Sequence, residues 1–466
     1  MLKKFTNTKT TFNPNQELGL KQIWNLTFPQ ILMTIFHFGI GFTDVVVAGR
    51  ISPDVQAVIG IVTQCQFVLI VIATALANAS VASISQAIGA RLNLRAIRYT
   101  GLSLGLGLVF CLLVLPVAII FQQTFLNLLH VSDQLMPTTK NFWQIYLLAL
   151  PAHYLLVLSN AVFRAYKAVY LPLITTFIVF LINAFLDLGF GLGWFGLPAF
   201  GANAIAWASL ISVFAGAVFN FVMLIKLQLF KSESIASWRW NKAALPYLIK
   251  VAIPSAGMQL LWQIGYLVLI GITNALPKNS ETAMAGMTAG MRVESMLFMP
   301  ALAFNLTGAV LIGNCLGAGK KLEAKRVGLK ILGLGCGTMS SFAAILWFFV
   351  PTIAAFVAPD PAVMQECMNY LKFNILSTPF TVASMILTGL LSGAGATIYP
   401  FYANSFSIWC VRLPLAYIMG HIIWKNASGV FFAMLISQMV QSSLCLYIFL
   451  FKNWTRFAQR GGNKTT

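Results

Sequence analysis

The chain has 466 residues, 59% of them hydrophobic and 9% charged, and its mean hydropathy is +0.82. A soluble globular domain carries about 25% charge, so the composition excludes a water-soluble fold and points to an all-α integral membrane protein. The formal net charge of +19 would suit a nucleic-acid binder, but the basic residues segregate by membrane side, which assigns the charge to topology and to contact with anionic lipid.

The first 20 residues are polar and lysine-bearing and show no cleavable signal, so the first apolar segment also serves as the insertion signal. A spanning helix needs about 20 apolar residues. Twelve segments qualify: 24–48, 57–85, 99–122, 140–163, 168–193, 201–229, 246–274, 283–316, 327–357, 366–392, 399–423 and 428–451. Several are long enough to predict tilted or bent helices. Their uninterrupted runs, without strict alternation, exclude a β-barrel. The expected organisation is a cytoplasmic tail (1–23), a six-helix lobe (24–229), a cytoplasmic linker (230–245), a second six-helix lobe (246–451) and a cytoplasmic tail (452–466). The linker region contains SWRWNK and has room for an amphipathic helix. With the N-terminus inside, 23 of the 30 basic residues fall on the cytoplasmic side. They include Lys3, Lys4 and Lys9 at the start, Arg91, Arg95 and Arg98 after the second span, and Arg460 and Lys464 at the end. Five fall outside (Arg50, Lys140, Lys278, Lys372 and Lys425), while Arg292 and Arg412 lie in or near spans. This is the positive-inside pattern with both termini cytoplasmic. The seven cysteines are scattered, with no CxxC and no Cys/His cluster, so no disulfide framework and no metal site is expected.

A weak internal repeat runs at an offset of 228 residues. QAIGARLNLRAIR (Gln86 to Arg98) matches NCLGAGKKLEAKR (Asn314 to Arg326), pairing Gly89 with Gly317 and Arg98 with Arg326. AYKAVYLP matches GAGATIYP, pairing Ala168 with Ala396 and Pro172 with Pro400. At a nearby offset Pro29 corresponds to Pro254. Each half has six spans, so the repeat is parallel, and two such bundles form an alternating-access architecture. Glycine in these loops permits sharp turns. GAGKK is not a phosphate loop, since no strand precedes it and the spacing is wrong.

Only three of the eleven acidic residues lie inside long apolar segments: Asp44, Asp187 and Glu294. A carboxylate at that depth costs about 2.5–3.5 kcal/mol and marks an ion or substrate path by default. Asn183 and Asp187 are i and i+4, and so share a helix face. His37 and Asp44 are i and i+7 on one face, about 10 Å apart. If the first and fifth spans pack together, the two carboxylates meet in a low dielectric and can exchange a proton near neutral pH; the alternative is a structural polar network. His37 reads equally as a relay or as a hydrogen-bonded core residue, while His153 and His421 read as structural or interfacial. Arg292 and Glu294, i and i+2, do not share a face; they read as members of charged pairs or as a gate. Arg412 reads as a snorkelling or paired cation. Gln259, Trp262, Gln263 and Tyr266 form a polar-aromatic stripe suited to amphipathic cations.

Together these segments resemble the multidrug and toxic compound extrusion (MATE) family, specifically its DinF-like, archaeal-type branch. The resemblance covers about residues 20–450. It rests on TDVVVAGR at the end of the first span, the two GA loops, MTAGMRVESMLFMPALAF, LIGNCLGAGKKLEA, and GLLSGAGATIYP followed by VRLPLAYIMG. It implies two six-helix lobes around a cleft and export of amphipathic, often cationic compounds against inward flow of protons or sodium ions. One branch of the family uses acidic residues in the seventh and tenth spans; here those spans offer Gln259, Gln263 and Asn374. The branch resembled uses an aspartate in the first span with an Asn-x-x-x-Asp in the fifth, which here are Asp44, Asn183 and Asp187. The resemblance further implies a helix bend at Pro29 and a polar pocket that includes Asn160. His37 stands where that pattern has glutamine, and Ser209 is the nearest match to a sixth-span threonine. The latter departure favours protons, with sodium at Asp44, Asn183 and Asp187 as the alternative. No other cofactor is implied; the expected protein is a monomer in the cytoplasmic membrane. A lipid or lipid-linked oligosaccharide flippase of the same superfamily is the alternative transporter, although basic residues within the spans number only about two. A membrane enzyme would need a paired His/Asp or nucleophile motif that is absent.

Overall fold

A computed structural model describes residues 19–128 and 131–459. Lys3, Lys4, Lys9, Arg460 and Lys464 lie outside the described residues, as does most of each predicted tail. The protein is an all-α integral membrane fold with twelve long apolar helices: Leu20–Ile51, Pro53–Gly89, Asn93–Ile120, Met136–Ala165, Tyr170–Gly191, Ala202–Lys226, Trp238–Asn274, Ser280–Gly317, Lys321–Val357, Pro361–Gly393, Ile398–Ile423 and Ala427–Phe451. Each matches one predicted span. The longest has 38 residues, about 57 Å at 1.5 Å per residue, well beyond a hydrocarbon core of about 30 Å.

The largest departure is at the seventh span, which begins at Trp238 rather than 246. SWRWNK is not a separate amphipathic helix: from Trp238 on it forms the first turns of that span, and only a short 3-10 turn, Ser232–Ser234, precedes it. Hydropathy hid this start because Arg239, Asn241 and Lys242 dilute the apolar signal. The segment is held by aromatic contacts instead. Trp240 meets the Tyr99 ring edge-on at 5.1 Å, with the Arg98 guanidinium 5.8 Å from the indole centre.

The 228-residue repeat is visible in the backbone. The second and eighth spans end at Gly89 and Gly317, and the fourth and tenth at Ala165 and Gly393. All four ends close in the same way. Leu92 N–H bonds to Ala87 O and Arg91 N–H to Ile88 O, while Lys320 N–H bonds to Cys315 O and Gly319 N–H to Leu316 O. The same pair of bonds closes the fourth and tenth spans at Lys167 and Gly395. These are paired 6→1 and 5→2 bonds around one left-handed residue. In the second half that residue is glycine (Gly319, φ 77°; Gly395, φ 78°), and in the first it is Arg91 (φ 60°) or Lys167 (φ 61°). The first half thus accepts backbone strain while keeping a basic residue at each turn.

Small residues bring helices close. Gly389 and Gly393 on the tenth span face backbone of the eighth: a β-carbon would lie 2.3 Å from Asn305 O at the first position and 2.1 Å from Ala309 O at the second. This is small-xxx-small packing, and its counterparts 228 residues earlier are the fully buried Ala161 and Ala165. At their opposite ends, the second, tenth and twelfth spans start on side-chain caps: Ser52 accepts from Val55 N–H, Asp360 from Ala362 and Val363 N–H, and Asn426 from Gly429 N–H.

Contacts divide the chain into two compact units. One comprises residues 32–252; the other comprises residues 253–459 together with 19–31. The first helix therefore contributes to both, and the division falls two residues beyond Pro29. Its opening turns are tied to the eighth span. Thr27 Oγ1 donates to Thr307 Oγ1 at 3.0 Å, and Gln30 Nε2 donates to the same oxygen at 2.7 Å.

Candidate coupling site

Glycines on both partners let the first and fifth spans approach within the first unit. A β-carbon at Gly39 would sit 2.8 Å from the Phe180 ring, and one at Gly191 would sit 2.9 Å from Val47 Cγ1. Phe36 packs tilted on Phe177 at 4.9 Å. Between these two close approaches lies Asp44. At such a separation even side chains as short as aspartate and asparagine meet across the interface. Asn183 Nδ2 donates to Asp44 Oδ1 at 3.2 Å, and the carboxyl groups of Asp44 and Asp187 lie within hydrogen-bonding reach of one another. Asp187 is fully buried and Asp44 is 9% exposed.

Asp187 stands where the helix changes character. The fifth span is α-helical from Tyr170 to Leu186 and becomes a π turn at Asp187–Gly191, sequence DLGFG. Such wide turns concentrate at functional sites. The eleventh span has π turns of its own, at Ser407–Arg412 and Ile418–Ile423.

The site is short of donors. Both oxygens of Asp187 are buried without a donor, and Asn183 Oδ1 also lacks a partner. Asn183 therefore supplies one amide N–H to a pair presenting four carboxylate oxygens. Buried acceptors in this state are costly, and a bound cation or a proton on one carboxyl would satisfy them. Tyr146, on the fourth span, lies within electrostatic reach of both aspartates, and its hydroxyl is 3.4 Å from Ser209 Oγ. Ser209 thus reaches the neighbourhood of the pair through Tyr146, a residue that the sequence reading did not single out.

The other predicted residues fall in separate places. Asn160 is not brought to the carboxylates. Its Oδ1 accepts from Asn220 Nδ2 at 2.9 Å, in a cluster where Asn220 also donates to Ser159 (2.7 Å) and accepts from Thr175 (2.6 Å). Asn220 was a readable signal, being a lone amide in an apolar run. His37 is exposed and makes no hydrogen bond among the described residues. It lies near His153, whose Nε2 is 3.4 Å from Gln66 Nε2.

In the second unit the seventh-span stripe is partly assembled. Trp262 stacks on Tyr266 at 5.6 Å, Tyr266 donates to Met291 Sδ, and Gln259 donates to Ser255 O at 3.3 Å. The reading of Arg292 and Glu294 as one charged pair is corrected. Two residues apart on a helix they diverge, and no ion pair joins them among the described residues. Glu294 instead accepts from Tyr370 and faces Asn374 and Arg412, in a cavity of about 280 Å³ bordered by Ser377 and Gln438. Arg412 Nε donates to Ser437 Oγ at 2.8 Å.

Comparison with known proteins agrees with this architecture. A relative from Thermotoga maritima, described as a probable multidrug resistance protein NorM, is 23% identical over 440 residues, covering 94% of each chain. Multidrug resistance protein PmpM from Pseudomonas aeruginosa is 23% identical over 421 residues, covering 87% of this chain and 85% of its own. Among solved structures, the Vibrio cholerae MATE transporter VcmN superposes with a TM-score of 0.85 at 20% identity, over 92% of this chain and 96% of its own. A MATE transporter of the MOP superfamily, solved in an outward-facing conformation, superposes with a TM-score of 0.86 at 16% identity, over 95% of this chain and 97% of its own. The MatE family model matches residues 29–188 and 254–418, one stretch in each half, and the chain belongs to this family of membrane transporters.

Proposed function

We propose that the chain is a proton-coupled antiporter that exports amphipathic, often cationic compounds, and that Asp44, Asn183 and Asp187 form its coupling site in the manner of the DinF-like branch. The observation that carries this reading is the contact between two intramembrane carboxyl groups that share one amide donor. The multidrug resistance named for the relatives in Thermotoga and Pseudomonas supports the substrate class.

Protons are favoured over sodium by the oxygen count. Ser209 Oγ, the extra neutral oxygen a sodium shell would use, is directed to Tyr146. A proton needs no such shell: placed on one carboxyl, it becomes the donor that the other accepts. Uptake from outside then removes the repulsion between the aspartates, repacks the first span about Pro29, and displaces substrate from the first lobe. The transporter turns inward and the proton leaves to the cytoplasm. A ligand shifts such an equilibrium only by binding one state better than the other. Here the proton favours the repacked state and the substrate the open one. Tyr266, Trp262, Gln263 and Gln259 offer aromatic faces and amides to substrate in the second lobe. The protein acts as a monomer in the cytoplasmic membrane, with both termini inside.

Purified protein in liposomes loaded with ethidium tests this reading, with proton and sodium gradients imposed separately. Proton-driven movement that is lost in Asp44→Asn is expected, with the variant inserted and folded as wild type. Movement driven by sodium alone would overturn the choice of ion. Unchanged proton-driven exchange in the variant would remove Asp44 from the mechanism.

A further inference from the structure

At one end of the second unit a groove runs between the eighth span, the end of the ninth and the start of the tenth. It is walled by Met284, Ala289, Val357 and Val363 and carries two ionisable residues, Arg292 and Asp360. Arg292 lies twelve residues into its helix, about 18 Å from the end, and is exposed. Its guanidinium has no hydrogen bond, ion pair or ring contact among the described residues. The two carboxylates nearest in the chain and the groove are engaged elsewhere. Asp360 Oδ1 accepts from Ala362 N–H at 2.9 Å and Val363 N–H at 3.1 Å, capping the tenth span. Glu294 is bonded to Tyr370 on another side of the helix.

A permanently charged guanidinium at this depth, without an anion from the protein, requires one from outside it. The planar fork of arginine matches a phosphate with two parallel hydrogen bonds, and the surrounding walls are hydrocarbon. We propose that this groove binds a phospholipid, with its phosphate on Arg292 and its acyl chains along Met284, Ala289 and Val357. Charge argues for lipid and against the exported compound. A cationic substrate would be repelled by Arg292, and the solvent available to a membrane-embedded groove is the bilayer itself. The site is independent of the coupling reading and involves none of the coupling residues.

The test is a titration of the delipidated full-length protein with dioleoylphosphatidylglycerol, followed by native mass spectrometry. Dioleoylglycerol, which has the same chains without phosphate, and inorganic phosphate serve as separate probes. Saturable binding is expected for the phospholipid, weakened about tenfold in Arg292→Gln and largely kept in Arg292→Lys. Neither of the other probes should displace it. Ala289→Phe, which fills the groove and leaves the guanidinium, should weaken binding to a similar degree, and it decides the matter if Arg292→Gln cannot be recovered folded. Equal affinity in the variants, equal binding of dioleoylglycerol, or displacement by inorganic phosphate would each overturn the proposal. Displacement by ethidium would do so as well, and would make the groove part of the export path. Because the readout is binding, the result stands whether or not export proves to be driven by protons.

Discussion

Asp44 and Asp187 were conspicuous in the sequence because a carboxylate within an apolar run is expensive enough to be rare. The Asn183–Asp187 spacing then placed an amide on the same face. What the sequence could not supply was the third dimension. Tyr146 is one aromatic among many, and only the packing of the fourth span against the first and fifth brings it to the aspartates. Asn160 illustrates the reverse: it is a polar residue at a plausible depth whose oxygen is held by Asn220 instead. Asn183 makes the one amide contact to Asp44, so its loss should be felt at the site alone. Asn183→Ala is expected to lower proton-driven exchange about tenfold, the scale of a hydrogen bond to a charged group, with the thermal midpoint in detergent close to wild type. Exchange rates in liposomes and a melting curve check both halves of that expectation.

The twelve spans were legible because each needs only length and hydropathy, and the loops of the repeat because glycine and basic residues recur at a fixed offset. Two features escaped. The seventh span begins inside SWRWNK, where charge masks a helix held by Tyr99 and Arg98. The left-handed turn positions of the first half are occupied by Arg91 and Lys167, which no composition rule favours. Helix contacts at this scale carry two predictions. A β-carbon at Gly393 would press on the Ala309 carbonyl, so Gly393→Ala should lower the detergent melting midpoint by about 5–10 °C, the range expected of overpacking in a domain this size. Gly337→Ala, where nothing lies within 4 Å, should leave it unchanged or slightly raised. The first span is anchored before its proline by Thr27 and Gln30 on Thr307 and meets the fifth span beyond it. Pro29 lacks the N–H that would bond residue 25, which leaves this turn easier to bend. Pro29→Ala should therefore slow turnover while preserving equilibrium binding of substrate; fluorescence binding and liposome flux separate the two.

For the whole molecule, the parallel repeat and its two compact units fit a transporter that alternates access, and the asymmetry between the units bears on how it is driven. The first unit holds two carboxyl groups in contact with a single amide. In the second, the carboxylate of Glu294 already has Tyr370 as a donor and Arg412 as a nearby cation. Buried charge without a partner is the part of a structure that a moving ion can stabilise, which makes the first unit the site of coupling. Topology follows from charge: a single cysteine placed at Lys321 should be labelled by an impermeant thiol reagent only from the cytoplasmic face, and one placed at Lys278 only from outside.

The most direct test of the coupling assignment is to count protons. Proteoliposomes containing a trapped pH dye would report proton movement on addition of ethidium for the wild type, Asp44→Asn and Asp187→Asn, each first shown to bind ethidium. Substrate-dependent proton movement in the wild type, lost in both variants, is the predicted result. Proton movement of wild-type size in either variant would contradict the account.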